Sequence, residues 1–399
     1  MDSFRGEAGS SEVRMPRYVR VNPRGRLAQE HSERSLRAEV VAAALGIAKA
    51  EKVNWLVAES EHEAEPCAWA EVYACDASAN LSRAEAYKDG SLYGVDAASV
   101  FAARCLSAKP GDRVLDLCCA PGAKLCTISD AVGDTGEVVG VDIAEHRLAA
   151  CRTVLRKYMV GNVRLSLGDG TCWNPSAAQW FSLEPPPRGR GQRGRKKRRF
   201  EAEAEAALKE ADADGTEAAE VEASQPSRPA PSLQLFDRVL VDAECTHDGS
   251  WRHLEKFRTQ WGWDTLGGRV PWVRQEGLFE LQVGLISNGF NLLKEGGCLI
   301  YATCSLCRRQ NEDVVAELLK QQPTAALAPL PLRLRDGRGS EVVPAGQSVA
   351  PARPSLLESD EPLGQDGRYC TARFDPVTSG TSGLFVACFT KLVTQKQPG

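Results

Sequence analysis
The stretch Arg113-Val114-Leu115-Asp116-Leu117-Cys118-Cys119-Ala120-Pro121-Gly122-Ala123-Lys124 decides the fold. Val114, Leu115 and Leu117 form a short apolar run that stops at a turn of small residues, and helix-compatible residues follow. That succession is how the first strand of an open α/β sheet hands over to its first helix. Ligands of such sheets sit beyond the carboxyl ends of the strands, where backbone approaches closely and a helix N-terminus offers free N–H groups. Ala120 and Gly122 keep the approach open and Pro121 stiffens the turn. Asp116 stands on the strand where an apolar residue is the rule. On this stretch alone it reads either as a turn carboxylate satisfied by backbone N–H groups or as part of a ligand site.

The flanking sequence favours the ligand site. Gly136–Asp142, GEVVGVD, is a second strand closed by an acidic residue, and Asp142 follows Asp116 by 26 residues. This is about where the fold places a carboxylate on ribose hydroxyls. Asn162–Leu167 is a third strand, ended by Gly168-Asp169. Three carboxylates at three successive strand ends are better explained by one crevice than by chance. No G-x-G-x-x-G follows the first strand, so a dinucleotide pyrophosphate has no cradle and a dehydrogenase is disfavoured. A cofactor with a ribose but no phosphates is expected, and S-adenosylmethionine meets that description. Cys118, Cys119, Ala120, Pro121, Gly122, Ala123, Lys124, Asp142, Arg147, Asp169 and Asp242 are the candidate cofactor-binding residues.

The motif D-x-C-x-A-P-G-x-K, Asp116 to Lys124, resembles the Sun (Fmu) family of RNA cytosine-5 methyltransferases. The likeness recurs at Phe236–Thr246 (FDRVLVDAECT), at Gly296–Ser305 (GGCLIYATCS), at Asn311-Glu312 and at Gly383–Ala387. In this order, and at strand ends, these segments are specific, and they cover most of Arg17–Lys391 apart from one insert. The resemblance implies a Rossmann-like α/β fold. Its sheet would have seven strands, mostly parallel with the last antiparallel, behind a small α+β N-terminal domain that contacts RNA. The expected layout is a disordered leader (1–15), the N-terminal domain (16–94), a methyltransferase domain (95–392) interrupted by a disordered insert (184–231), and a tail (393–399).

Composition sets the outer bounds. The 399 residues are 43% hydrophobic and 26% charged with net charge −4, so RNA contact has to come from local basic patches. The 14 cysteines lie largely in apolar helix or strand patterns, as reduced thiols do, which places the chain in a reducing compartment. Cys304 and Cys307 lack a second pair at matching spacing, so no metal is expected. No apolar run approaches ~18 residues, and the N-terminal stretch has no apolar core of a secretory signal, so no membrane partner is expected. A monomer is expected.

Along the chain, Pro16–Asn22 alternates as a half-buried strand. With Arg14, Arg17, Arg20, Arg24 and Arg26 it reads either as an edge strand protected by arginines or as a phosphate-contacting segment, which the family resemblance favours. Ser35–Ala50 reads as a helix, and Val53–Val57 and Trp69–Tyr73 as strands of the same small domain. Tyr93–Ser99 leads into a helix to Leu106, and Leu148–Met159 is a further helix. Glu184–Pro231 has a basic block, Arg188–Arg199, and then an acidic one, with almost no core formers. The basic block favours a nuclear or nucleolar location, with cytoplasm or an organelle as alternatives. Gln234–Asp242 and Cys298–Ala302 are the fourth and fifth strands. Gln275–Leu293 is a long helix stopped by Lys294-Glu295-Gly296-Gly297, and Asn311–Lys320 is the next helix. Trp251–Trp263 mixes aromatics and cations, suited equally to stacked bases and to a helix beside the site. Pro323–Asp366 has no assignment, and Arg373–Pro376 with Leu384–Leu392 reads as a closing antiparallel pair.

Cytosine C5 is too weak a nucleophile to attack a methyl sulfonium unaided, and a thiolate adding at C6 pushes electron density onto it. The family resemblance implies that Cys304, in Thr303-Cys304-Ser305, attacks C6 and that Cys245 assists product release. It implies that Asp242 holds the base edge and that Lys124 closes the first loop. The partner implied is tRNA or rRNA, with its target base flipped out of the stack. The family usually has D-A-P-C and then S-G, whereas this chain has Asp242-Ala243-Glu244-Cys245 and then Thr246-His247-Asp248-Gly249. A carboxylate at Glu244 is expected to raise the Cys245 pKa and to put release in doubt. Two other functions stay open: a methyltransferase for protein or small molecules, which leaves both cysteines idle, and a catalytically silent RNA-binding relative.

Overall fold
A computed structural model describes residues 15–31, 36–56, 71–184, 235–251, 253–255, 277–331 and 369–394. The insert, the first 14 residues, most of Trp251–Trp263 and most of Pro323–Asp366 lie outside the described residues. The elements form two sheets. The first is antiparallel, ordered β2 (Ala50–Lys52), β3 (Val72–Cys75), β1 (Arg17–Val21), β4 (Leu92–Val95), with α1 (Arg26–Glu30), α2 (Ala38–Leu45) and α3 (Glu85–Lys88). α2 is shorter than the expected Ser35–Ala50 because Gly46, at φ 67°, turns the chain out of the helix. The strands expected at 53–57 and 69–73 fall instead at 50–52 and 72–75.

β1 is an inner strand, not an edge. Alternation along it sends Val19 and Val21 to a core with Val41 and Leu45 of α2, and sends Tyr18 to the core of the larger sheet. Arg20 is fully buried and pairs with Asp130, which also holds Arg24. Buried Asn22 donates to the Gly90 and Tyr158 carbonyls at 2.8 and 3.2 Å. The R-Y-x-R-V-N segment therefore ties the two sheets together. Of the arginines read as phosphate contacts, Arg20 and Arg24 are engaged inside, while Arg17 and Arg26 remain at the surface.

Among the described residues the second sheet has nine strands. β5 (Arg113–Asp116), β6 (Glu137–Asp142), β7 (Val163–Leu167), β9 (Phe236–Asp242) and β10 (Leu293–Thr303) run parallel in the order β10-β9-β5-β6-β7. β13 (Leu384–Lys391) is antiparallel to β10, with β12 (Thr371–Phe374) and β11 (Ala325–Leu327) on its far side. Two strands beyond the seven expected are short edge additions, β11 and the antiparallel β8 (Gln179–Phe181) beside β7. The fold is the Rossmann-like α/β class read from the sequence. α4 (Ala97–Cys105), α5 (Ala123–Val132) and α6 (Glu145–Lys157) cover one face, and α7 (Leu278–Asn291) and α8 (Glu312–Gln321) the other.

Both faces of the inner parallel strands are buried, so their middles are apolar, as at Val138–Val141 and Val239–Val241. Val114, Val138, Leu240 and Ile300 face α4–α6, while Leu115, Val139, Val241 and Tyr301 face α7 and α8. Each fully buried side chain of this kind contributes roughly 1.5–3 kcal/mol. Asp96 caps α4 by accepting from Ala98 N at 2.9 Å. Lys294–Gly297 is not the stop of α7. The helix ends at Asn291 and the chain turns straight into β10, so the glycines fall in a register shift of the ladder between Leu293 and Cys298.

The strand order reverses between β5 and β9, so the crevice of this topology opens at the carboxyl ends of these two neighbours. Asp116 and Asp242 end the two strands.

Candidate active site
Asp116 is 1% exposed, and its Oδ1 accepts from Cys118 N at 3.2 Å. Burial pushes its pKa up to about 7, helped by the Asp242 charge and opposed by Lys124. Lys124, on the first turn of α5, reaches across to Asp242, Nζ to Oδ2 2.6 Å. Burial works against the ammonium, but the Asp242 carboxylate outweighs it and holds the Lys124 pKa above its usual value. Gly122 enters α5 at φ 102°, a conformation that side-chain-bearing residues rarely adopt.

Asp142 ends β6, nearly buried. It accepts from Ala120 N (3.3 Å) and Ala144 N (3.1 Å) and faces Arg147 Nε at 3.3 Å. Burial raises its pKa, against the pull of Arg147 and the two N–H groups. Cys118 is partly open, and burial followed by the Asp116 charge drives its thiol pKa far up. Cys119 turns into the core. Asp169 is not drawn into this group. It is exposed, and its carboxylate accepts from Thr171 N and Oγ1 of its own turn at 2.9 and 2.8 Å. Ile143, directly after Asp142, is 68% exposed. Sequence reading passed over it, although an apolar residue just beyond a strand-ending carboxylate was the available signal.

Cys245 follows β9 and Cys304 follows β10. Their sulfurs stand 3.3 Å apart, beside the Lys124–Asp242 pair. His247, unremarked in the sequence reading except as part of a departure from the motif, places Nδ1 at 3.0 Å from Cys304 Sγ and 3.7 Å from Cys245 Sγ. One thiol of the pair gives up its proton readily. The hydrogen bond from the Cys304 thiol, and then His247, lower the Cys245 pKa against burial. The thiolate so formed, with burial, raises that of Cys304. Glu244 does not act as expected. Its carboxylate lies 3.5 Å from Arg147 and 3.7 Å from His247 Nε2, and these cations keep its pKa low although burial opposes them. Cys245 is lowered, not raised, because the Cys304 thiol donates to it and the imidazole stands beside it.

The three donor atoms of Cys245, His247 and Cys304 lie within 4.8 Å of one another, a sulfur–nitrogen set of the kind zinc takes. Cys304 Sγ stands 3.3 Å from Cys245 Sγ and 3.0 Å from His247 Nδ1, and the third separation, Cys245 Sγ to His247 Nδ1, is 3.7 Å. Cys307, paired with Cys304 in the sequence reading, is not in this set.

The remaining motif residues hold the Cys304 loop. Thr303 Oγ1 donates to Asn311 Oδ1 at 2.6 Å, Asn311 Nδ2 donates to Ser305 O at 2.9 Å, and Arg373 joins Glu312 (2.6 Å) to the Leu306 carbonyl (3.1 Å). Gly249 N donates to Cys304 O at 2.9 Å, and Gly383 N to Gly249 O at 2.8 Å. A side chain at Gly249 would meet the Cys304 carbonyl at 2.6 Å, so only glycine lets these loops touch.

A family model described as 16S rRNA methyltransferase RsmB/F matches residues 103–182 and 195–390. The chain belongs to the RsmB/F family. S-adenosylmethionine is this family's cofactor. Among curated relatives, bovine "5-cytosine rRNA methyltransferase NSUN4" is 29% identical over 61% of the chain and 50% of the relative. Mouse mitochondrial "tRNA (cytosine(34)-C(5))-methyltransferase" is 27% identical over 59% and 51%. The chain thus spans about half the length of the curated relatives it matches. A solved methyltransferase homolog from Pyrococcus horikoshii shares the fold, with TM-score 0.53 and 21% identity over 95% of this chain and 87% of that one. Among the described residues no helix is long and apolar enough to cross a membrane.

Proposed function
We propose that the chain transfers a methyl group to C5 of a cytosine in tRNA or rRNA, with Cys304 as the nucleophile at C6. The observation that carries this reading is the pair of strand-end thiols, 3.3 Å apart, beside the Lys124–Asp242 ion pair. A reaction that splits one difficult attack into addition and elimination needs a thiolate at the first step and a second acid–base group at the last. S-adenosylmethionine supplies the electrophilic methyl. The residues at the strand ends fit it: Asp142 offers a fixed acceptor to ribose hydroxyls, exposed Ile143 an apolar face to adenine, and the Ala120–Gly122 turn a close backbone. Asp242, paired with Lys124 at 2.6 Å, is the group assigned to the base edge.

In the proposed sequence, Cys304 adds to C6, C5 gains electron density and takes the methyl group, and a base in the site takes the C5 proton as the Cys304–C6 bond breaks and the electron pair returns to sulfur. Cys245 supports that release. Relatives named for tRNA and rRNA methylation support an RNA substrate. The basic run Arg188–Arg199 supports a nuclear or nucleolar site of action. The reading of a silent relative rested on Glu244 disabling Cys245, and Glu244 faces Arg147 and His247 instead.

The test is a denaturing gel of enzyme with substrate RNA, together with nucleotide-resolution mapping of 5-methylcytosine. Cys304→Ala should abolish both the adduct and the mark. Cys245→Ala should keep the adduct and lose turnover. A Cys304→Ala enzyme with full turnover overturns the assignment.

A further inference from the structure
The proposed reaction uses Cys304 and Cys245 but gives His247 nothing to do. His247 stands where the D-A-P-C-S-G pattern has glycine and keeps glycine's left-handed backbone, φ 55°. Its Nδ1 lies 3.0 Å from Cys304 Sγ and 3.7 Å from Cys245 Sγ, and the two sulfurs are 3.3 Å apart. Two thiols and an imidazole, the donors that zinc prefers, thus converge on one point. Among the described residues no other group of three cysteine, histidine or acidic side chains converges in this way.

The spacing suits a zinc ion with little movement. Tetrahedral bonds of ~2.3 Å to sulfur and ~2.0 Å to nitrogen set S–S edges of about 3.8 Å and S–N edges of about 3.6 Å. The edge from Cys245 to His247, 3.7 Å, already has that length. Both shorter edges end at Cys304 Sγ, so one side chain makes the adjustment. Roughly half an ångström at that sulfur is a turn of about 20° in χ1, which stays inside one rotamer well.

The loop that carries the other two ligands is fixed. Thr246 N donates to Gln310 Oε1 at 3.0 Å, and Asp248 accepts from Leu306 N at 3.2 Å. The His247 side chain is 30% exposed and Cys304 is partly open, so an ion can enter from solvent and keep water as its fourth ligand. Two thiolates and a neutral imidazole cancel the charge of the dication, which suits a largely buried place. Glu244 Oε1 lies 3.7 Å from Nε2, beyond hydrogen-bond length, and puts negative charge on the side of the ring away from the sulfurs. Outer-shell carboxylates of zinc-bound histidines stand on that side. Lys124, whose charge opposes a cation here, is paired with Asp242 at 2.6 Å.

We propose that Cys245, His247 and Cys304 form a zinc site, binding Zn²⁺ through two thiolates and Nδ1, and that the bound ion blocks the target base. The site does not depend on what the cysteines do in catalysis; the block rests on the reading of Cys304 as the nucleophile. On binding, the Cys304 Sγ–H and His247 Nδ1–H bonds break and their protons go to solvent. Each electron pair stays on its sulfur or nitrogen and becomes the bond to the metal.

The test uses the full chain, freed of metal by a chelator and titrated with Co²⁺ as a spectroscopic stand-in. One equivalent should bring up a sulfur-to-cobalt charge-transfer band and the intense visible bands of a tetrahedral site, and one equivalent of Zn²⁺ should erase them. Cys245→Ala, Cys304→Ala and His247→Gly should each weaken cobalt binding at least about tenfold, the smallest loss expected even for an outer-shell partner. Glycine suits the left-handed backbone at 247, and a cooperative melt checks that each variant is folded. Zn²⁺ should suppress the RNA adduct of wild type over the range that displaces cobalt, and His247→Gly should need at least about tenfold more. Cobalt bands that persist in folded His247→Gly, or in the Cys245→Ala/Cys304→Ala double variant, overturn the site. Bands that behave as expected beside an adduct that zinc leaves intact overturn the block. An adduct that survives in Cys304→Ala overturns the parent reading, and the cobalt titration still decides the site on its own.

Discussion

Asp130→Ala tests whether the arginines of the first strand are structural. Asp130 sits on α5, and its carboxylate pairs with Arg20, both side chains being 0–1% exposed, and with Arg24, which is 26% exposed. Removing the carboxylate leaves a guanidinium in the interior without this counter-ion, and breaking a buried pair costs about 3–5 kcal/mol. Arg20 also lies over the Tyr93 ring at 4.9 Å, a contact that survives and retains roughly 0.5–2 kcal/mol. The expected loss is therefore near the lower end, about 3 kcal/mol. In a chain of 399 residues that is a drop of about 4 °C in Tm. Arg24→Ala, whose head group water can reach, should cost only about 1 kcal/mol. Replacing Arg20 and Asp130 together with Met and Leu should be far milder than Asp130→Ala alone, because no buried charge is left over. Urea unfolding and calorimetric melting of the four proteins give these differences directly. A loss below about 1 kcal/mol in Asp130→Ala, or an equal loss in Arg24→Ala, refutes the claim that this pair joins the two sheets.

Asp142→Ala should weaken S-adenosylmethionine binding at least tenfold in calorimetry, and undiminished affinity removes Asp142 from the cofactor site. Asp116 carries a pH signature. Its folded pKa of about 7 lies above the ordinary ~3.9, so between these values the folded state holds a proton that the unfolded state has lost. Its contribution therefore falls as pH rises from about 4 to 7, by on the order of 4 kcal/mol. Asp116→Asn should lack this fall, and parallel stability–pH curves for the two proteins contradict it. Gly249→Ala places a methyl 2.6 Å from the Cys304 carbonyl and should cost about 1–3 kcal/mol while displacing the nucleophile's loop. Adduct formation should drop more than cofactor affinity, and a proportional fall in both argues against a local effect.

The parallel sheet was legible because a strand buried on both faces has to be written as a continuous apolar run, and because its ends must carry whatever meets the ligand. Val114–Leu117, Val138–Val141 and Val239–Val241 state the first rule, and Asp116, Asp142 and Asp242 the second. The same logic misled at Gly296-Gly297, because a Gly-Gly pair marks a bulge as readily as a helix end. Asp169, at the end of the third parallel strand, is exposed and accepts from Thr171 of its own turn. Arg20 shows a different limit. Alternation along β1 placed it on one face, but only the register beside α5 reveals that this face is an interior with Asp130 waiting in it. Charge on a strand reads as solvent exposure until its partner, 110 residues away, is brought to it.

The site was legible one residue at a time and misread in combination. A carboxylate next to a cysteine in sequence is expected to raise its pKa, because adjacency is all a sequence offers. On a turn, however, neighbours in sequence point apart, and the residue that faces the thiols is His247, two positions on, delivered by a left-handed backbone that sequence does not announce for histidine. Glu244 then acts through that ring and through Arg147, from a helix nearly a hundred residues earlier, so its charge reaches Cys245 only after passing an imidazolium. Two substitutions that singly look like damage to a motif oppose each other's costs. The carboxylate faces the half-buried imidazole, and the imidazole faces two thiols 3.3 Å apart. Losing either alone removes a contact that the other makes. The double variant Glu244→Pro/His247→Gly should therefore be more stable than the sum of its single changes predicts, by the coupling expected of groups in direct contact, about 0.5–3 kcal/mol.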